Sequence, residues 1–220
     1  TAAGRPTSLD DTRETCGGTY LERTDSQTAD GRRTGNSNLA RVSTPPCLTH
    51  FSEDWTDGLR AELWSAYGSP APHVEADRGP DGTAAFEPNG DGNFHSGVLL
   101  KQPLDITSGL NIEFSLRGTG TIGEKYSSLS VALTPCTPAD NLEVECRTQL
   151  VAIGASTESG AVEYMVRHDE LETLREDWAA LDGMWHRFRI HVKPDGHVDF
   201  YRNGQQIYSA ERPVDLARNV

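Results

Sequence analysis

Amide and carboxylate side chains alternate in the segment 88–100, PNGDGNFHSGVLL. Asn89, Asp91 and Asn93 have the spacing of the first ligands in a helix–loop–helix calcium loop, which also needs glycine at its sixth position and glutamate at its twelfth. Counted from Asn89, those positions hold Phe94 and Leu100, so the sequence excludes this form of calcium site. The segment instead predicts a glycine-rich turn that leads into a strand through 98–100.

A non-helical calcium site in the acidic loops remains an alternative to plain turns. Its ligands would be the carboxylates of Asp77, Asp81 and Asp91. Calcium accepts loop oxygens of this kind, but tight turns also require aspartate, asparagine and glycine. We therefore expect no required cofactor, with calcium as the metal that these loops would accept.

Paired carboxylates suited to glycoside hydrolysis would have to alternate along one strand, so that two of them face the substrate together. Glu143 and Glu145 have that spacing but fall in a polar loop, and Glu170 and Glu172 fall in a segment that we predict to be helical. No G-x-S-x-G sequence is present to position a serine nucleophile. The seven histidines are scattered without the spacing of zinc ligands. These patterns predict a protein that is not an enzyme.

The charge balance bears on the partners. The chain of 220 residues carries a net charge of −13. A strongly acidic protein repels the phosphates of nucleic acids and of anionic lipid surfaces, so we expect neither nucleic-acid binding nor direct membrane contact.

Four cysteines, Cys16, Cys47, Cys136 and Cys146, lack the C-x-x-C spacing of zinc knuckles and redox motifs. They allow three pairings, of which Cys16–Cys47 with Cys136–Cys146 is the most local. Two disulfides would place the protein outside the cytoplasm, in the periplasm, at the cell surface or in the medium. Four unpaired thiols in a cytosolic protein are the alternative.

Composition divides the chain near residue 47. Residues 1–47 are rich in threonine, serine, glycine, aspartate and arginine, and the segment 24–38 has almost no apolar side chains, which predicts an irregular N-terminal arm tethered by a disulfide. Residues 48–220 contain short alternating segments separated by glycine, proline, asparagine and aspartate, which is typical of an all-β domain. Clear strand patterns occur at 110–118, 127–135, 148–156 and 161–168. One short helix is expected near 170–181, because Leu171, Leu174, Trp178 and Leu181 have helical spacing.

The segment 184–210 predicts a hairpin whose register can be worked out. Pro194-Asp195-Gly196 suits a type I turn with a bulge. That loop pairs Val192 with Val198 and Ile190 with Phe200, which places apolar residues on one face. On the opposite face His191 meets Asp199, and Arg189 meets Tyr201. A shorter loop would pair Val192 with Asp199 and bury a carboxylate, which is unfavourable.

This hairpin resembles the late strands of concanavalin A-like, laminin-G-like jelly rolls. The residues that carry the resemblance are Trp185, His186, Ile190, Val192, Asp195, Gly196, Phe200, Asn203, Gly204 and Ile207. The segments 51–74 and 88–118 are similar to earlier strands of such domains, so the likeness covers about 50–210. It implies a jelly-roll sandwich of two antiparallel sheets. It also implies that the last strand lies within 212–220, or that an open edge is left for self-association.

The resemblance implies a recognition module for a carbohydrate or a protein. The candidate contact residues on outward strand positions are Glu113, Arg117, Glu163, Arg167, Arg189, His191, Asp199 and Tyr201. Ordinary cross-strand charge pairs are the alternative for each of them. We expect an accessory or sensor segment of a larger cell-surface or membrane-anchored signalling protein. A glycoside hydrolase of the jelly-roll glucanase type and a structural assembly domain are the alternatives.

Overall fold

The computed structural model of the chain is almost entirely β. It describes residues 19–22, 26–27, 33–34, 40–43, 48, 51–88, 96–118, 128–135, 150–156, 161–167, 171–177 and 183–214. Across these residues the only helical element is one turn of 3₁₀ helix at Pro80–Gly82. None of the described segments forms a helix long and apolar enough to cross a membrane. The predicted all-β class is confirmed.

Sixteen strands lie within the described ranges. In chain order they are β1 (Thr19–Glu22), β2 (Ser26–Gln27), β3 (Arg33–Thr34), β4 (Ala40–Ser43), β5 (Trp64–Tyr67), β6 (His73–Glu75), β7 (Ala85–Glu87), β8 (Gly97–Leu100), β9 (Leu110–Leu116), β10 (Ser128–Leu133), β11 (Val151–Ser156), β12 (Ala161–Arg167), β13 (Leu171–Asp177), β14 (His186–Val192), β15 (Val198–Arg202) and β16 (Gln205–Ser209). The strand predicted after the glycine-rich turn is β8.

One four-stranded antiparallel sheet has the order β16–β15–β14–β9. The β14–β15 hairpin has the predicted register, with Val192 opposite Val198 and Ile190 opposite Phe200. Gly196 closes its turn with a φ of 85°, and its N–H donates to the carbonyl of Lys193 at 2.9 Å. The alternation predicted for β9 is confirmed, because its inward positions are partly or fully buried and its outward positions are exposed.

A second sheet is a simple antiparallel meander, β10–β11–β12–β13. Val151, Ala152, Ile153 and Gly154 of β11 are all buried, which confirms that this apolar run is covered on both faces. Tyr164 and Val166 of β12 are completely shielded from solvent.

The hydrophobic core lies between the two four-stranded sheets. The ring of Tyr164 meets the ring of Phe200 edge to face, with centroids 5.5 Å apart. Phe188 and Ile190 of the first sheet and Ile153 of the second belong to the same buried cluster. The molecule is therefore sandwich-like, as the alternating pattern predicts. The finer jelly-roll topology stays a prediction.

The short helix predicted near 170–181 is wrong over residues 171–177, which form β13. Leu171 and Leu174 are three residues apart, a spacing that suits a helix but falls on opposite faces of a strand. All seven residues of β13 pair with β12, and Leu174 lies opposite the buried Tyr164. A helix of this length is marginal in water, whereas β12 supplies a partner for the whole segment. Trp178 and Leu181 lie outside the described residues.

The predicted irregular arm contains short strands in its described parts. β1 pairs with β4, and β2 pairs with β3, both antiparallel. Backbone hydrogen bonding needs no apolar side chains, so composition does not reveal such pairs. At the start of the predicted domain, the N–H of Leu48 donates to the carbonyl of Pro103 at 3.0 Å. β5 pairs with β8, and β6 with β7, to form two further small sheets.

Candidate binding face

The outward side of the sheet β16–β15–β14–β9 carries a grid of polar side chains, which we call the polar face. In one row, the register places Glu113 of β9 opposite Arg189 of β14, which lies opposite Tyr201 of β15. In the adjacent row it places Asn111, His191, Asp199 and Ser209 side by side. The alternation that sends apolar residues of these strands into the core therefore brings five of the predicted contact residues together: Glu113, Arg189, His191, Asp199 and Tyr201.

Arg189 stacks on a ring and has no carboxylate partner among the residues that the structure describes. Its guanidinium carbon lies 3.8 Å from the ring centroid of Tyr201. Glu113, its register neighbour, instead hydrogen-bonds to Arg187. Within the described ranges no ion pair involves Arg189, and its buried Nε has no hydrogen-bond partner. Stacking on an aromatic ring orients a guanidinium without using its hydrogen-bond donors.

Asp199 belongs to the polar face but is almost completely buried, with 5 % of the residue exposed. Its carboxylate accepts hydrogen bonds from Lys193 Nζ at 2.8 Å and from Ser209 Oγ at 2.7 Å. Burial raises the pKa of Asp199, but the hydrogen bonds from Lys193 and Ser209 lower it by more, so the pKa lies below the usual aspartate range. The same contact raises the pKa of Lys193. Asp199 is thus a buried carboxylate, each of whose two oxygens accepts a hydrogen bond.

The other predicted contact residues lie elsewhere. Arg117 follows β9, and its guanidinium carbon lies 5.0 Å from the ring centroid of Trp185, beside the polar face. Glu163 and Arg167 belong to β12 in the second sheet, and their side chains lie outside the described part. The structure therefore brings six of the eight predicted residues onto or beside one sheet and places two on the other.

Asp77 and Asp81, two of the three predicted calcium ligands, are exposed turn residues. Their φ angles are 59° and 55°, in the left-handed region that aspartate tolerates better than most residues. Asp91 lies outside the described residues, so the calcium site stays a prediction. The four cysteines also lie outside them, and their pairing stays a prediction as well.

Sequence reasoning missed a buried carboxylate near the start of the domain. The side chain of Glu53 is 6 % exposed, and its carboxylate accepts hydrogen bonds from Arg60 at 2.8 Å and from Trp64 Nε1 at 3.0 Å. The N–H of Trp55 donates to its other oxygen at 3.2 Å. Burial raises the pKa of Glu53, but the hydrogen bonds from Trp64, Arg60 and Trp55 lower it by more, so the net shift is downward.

An aromatic stack surrounds this carboxylate. The ring of Trp55 lies between Trp64, at 5.4 Å, and Phe86 of β7, at 5.1 Å. Phe51 meets Trp64 edge to face at 5.3 Å. Trp55 has a φ of 63°, a left-handed conformation that costs a tryptophan about 1–2 kcal/mol. The stack and the bond to Glu53 hold it there, so these residues fasten the segment before β5 to the β6–β7 hairpin.

A second missed cluster lies on that hairpin, where His73, Glu75 and Glu87 approach one another. The detectable signal was the H-x-E spacing of His73 and Glu75. The contribution of Glu87 depends on the β6–β7 register, which the sequence does not reveal.

No family model, curated protein or solved structure matches this chain.

Proposed function

We propose that the protein is a non-catalytic recognition module that binds an acidic carbohydrate on the polar face. The observation that carries this proposal is the stacked guanidinium of Arg189, which no described carboxylate pairs. A planar guanidinium offers parallel donors that match the two oxygens of a carboxylate. Because Tyr201 already orients the group, a ligand would meet little of the entropy cost of ordering a free arginine.

The charge distribution favours an anionic ligand at this position. The chain as a whole has a net charge of −13. Arg187, Arg189 and Lys193 nevertheless cluster on or beside β14. Arg187 forms an ion pair with Glu113, and Lys193 forms one with Asp199. Of these three cations only Arg189 is left without a carboxylate among the described residues, so it attracts an anion to this position while the negative charge of the rest of the protein repels it elsewhere.

The neutral groups around Arg189 favour a sugar over other anions. Asn111 and Ser115 of β9 and Gln206 and Ser209 of β16 are exposed on the same sheet. Hydroxyl and amide groups both donate and accept hydrogen bonds, as sugar hydroxyls do. The ligand class that combines such hydroxyls with a carboxylate is a uronic-acid-type glycan.

The arrangement of carboxylates supports binding without hydrolysis. Hydrolysis of a glycosidic bond needs two carboxyl groups facing the same sugar. On the polar face, Asp199 is buried beneath the surface and Glu113 is paired with Arg187. Glu163 belongs to the second sheet, on the other side of the core from Glu113.

Titration of the purified protein with acidic and neutral oligosaccharides tests the proposal. We expect heat of binding with oligogalacturonate and none with a neutral β-glucan oligomer of the same length. A parallel assay for new reducing ends should show no hydrolysis. Equal binding of both sugars would contradict the assignment of an acidic ligand, and reducing ends released from either sugar would contradict a non-catalytic role.

We also propose an extracytoplasmic location, as an accessory or sensor segment of a larger surface protein. The proposal is supported by the four cysteines at spacings that suit disulfides rather than metal knuckles. Peptide mapping under non-reducing conditions should recover Cys16 with Cys47 and Cys136 with Cys146. Free thiols at all four positions would contradict this location.

A further inference from the structure

Three metal-ligating side chains meet on one face of the β6–β7 hairpin. His73 and Glu75 are two residues apart on β6, and Glu87 is the register partner of His73 on β7. His73 Nε2 lies 2.9 Å from a carboxylate oxygen of Glu75. One ligand atom from each of the three residues lies within 4.8 Å of the others.

We propose that these residues bind one divalent first-row transition-metal cation of the Zn²⁺ type. Ligands at about 2.0–2.1 Å from zinc lie roughly 3.3 Å apart when the coordination is tetrahedral. Small side-chain rotations would bring the three atoms from their present spacing to that one, and the side chains of His73 and Glu75, 42 % and 39 % exposed, lie at the surface rather than in the core. Three protein ligands leave a fourth position for water or for an oxygen of a ligand.

The donor set selects this class of metal. An imidazole nitrogen with two carboxylates suits zinc and its neighbours, whereas calcium prefers six to eight oxygens. The two carboxylates balance the charge of a divalent ion. Arg78 Nε lies 3.9 Å from one oxygen of Glu75, while the other oxygen faces His73. Among the described ion pairs none involves Glu87, so its carboxylate has no cation of its own.

The hairpin that carries the cluster is braced from its other side. Val74 and Phe86 occupy the alternate positions, and Phe86 stacks on Trp55 at 5.1 Å. Within the connecting turn, the N–H of Gly79 donates to the carbonyl of Thr83 at 2.7 Å. The backbone positions of all three ligands are therefore held before a metal arrives, which lowers the ordering cost of binding.

Calorimetric titration of the full chain with Zn²⁺ tests the proposal on wild type, Glu87→Gln and His73→Ala. A matched control is His197→Ala, because His197 is 41 % exposed and pairs with a single acid, Asp195, at 3.3 Å. We expect wild type and His197→Ala to bind Zn²⁺ equally. Glu87→Gln and His73→Ala should each weaken this binding at least tenfold, with unchanged far-ultraviolet circular dichroism.

Thermal unfolding provides a second readout, because a ligand of the native state raises Tm by mass action. Zn²⁺ should raise the Tm of wild type and of His197→Ala, and should raise that of Glu87→Gln by less at the same concentration. Calcium at the same concentration should produce no shift that depends on Glu87. Zinc affinity and Tm shift in Glu87→Gln equal to those of wild type would overturn the proposal, as would wild type that binds no zinc.

Discussion

The guanidinium of Arg189 lies 3.8 Å from the ring centroid of Tyr201, although a carboxylate, Glu113, is its register neighbour on β9. Glu113 pairs diagonally with Arg187 instead. One arginine of the polar face is therefore neutralised by a carboxylate, and the other is oriented by a ring that removes none of its charge. This difference between two arginines on one strand is the basis of the proposed binding site.

The stack on Tyr201 should contribute to ligand affinity through the orientation of Arg189. A cation–π contact of this kind is worth about 0.5–1 kcal/mol, so Tyr201→Leu should weaken binding of an acidic oligosaccharide roughly two- to fivefold. Tyr201→Phe keeps the ring and should bind as wild type does. Calorimetry of both variants checks this prediction, and a loss in Tyr201→Phe as large as that in Tyr201→Leu would show that the hydroxyl matters rather than the stack.

Replacing Asp199 should destabilise the first sheet. Asp199→Asn keeps an oxygen for Ser209 but removes the ion pair with Lys193, which we expect to lower the free energy of unfolding by about 1–3 kcal/mol. Chemical denaturation measures the change. Asp57→Asn, at an exposed position, serves as the control and should stay within about 0.5 kcal/mol of wild type.

Replacing Glu53 should lower the free energy of unfolding more than replacing other carboxylates of its segment. Glu53→Gln places an amide donor against Arg60, Trp64 and the N–H of Trp55, so we expect a loss of about 1–3 kcal/mol and a change in tryptophan fluorescence. Glu62→Gln is the matched control, because Glu62 is exposed nearby. Equal stability of the two variants would contradict the role assigned to Glu53.

Acid should lower the free energy of unfolding, because it protonates the carboxylates of Glu53 and Asp199. Both carboxyls have a lower pKa in the folded protein than their ordinary values, so the unfolded chain takes up their protons first as pH falls. Their contribution is complete above the ordinary values of about 3.9 for aspartate and 4.3 for glutamate, and it is lost as pH falls through the folded values. Urea unfolding at pH 7 and below pH 4 should show a smaller loss for Glu53→Gln than for wild type. An identical loss would argue that Glu53 does not titrate differently on unfolding.

The register of the β14–β15 hairpin was predictable because two local signals agree. Pro194-Asp195-Gly196 sets the loop length, and only that length pairs Val192 with Val198. The contact of Arg189 with Tyr201 followed from the same register. The pairing of Glu113 with Arg187 could not be inferred in this way, because the two residues are 74 positions apart and meet only through the pairing of β9 with β14.

Two features could not be inferred because they depend on the partner strand. Leu171 and Leu174 have a helical spacing, and only the presence of β12 beside them makes β13 a strand. Glu87 lies 14 residues after His73 in the printed sequence, and only the β6–β7 register brings the two side chains together. In both cases a tertiary neighbour decides what the local pattern leaves open.

The comparison of Arg189→Ala with Arg187→Ala tests the central claim most directly. Both variants remove one positive charge from the same face of β14, so a ligand attracted only by the net charge of the protein would lose affinity equally in both. In calorimetric titration with oligogalacturonate, we predict at least a tenfold loss of affinity for Arg189→Ala and less than a threefold loss for Arg187→Ala. Equal affinities in the two variants would contradict the claim that the guanidinium stacked on Tyr201 receives the ligand.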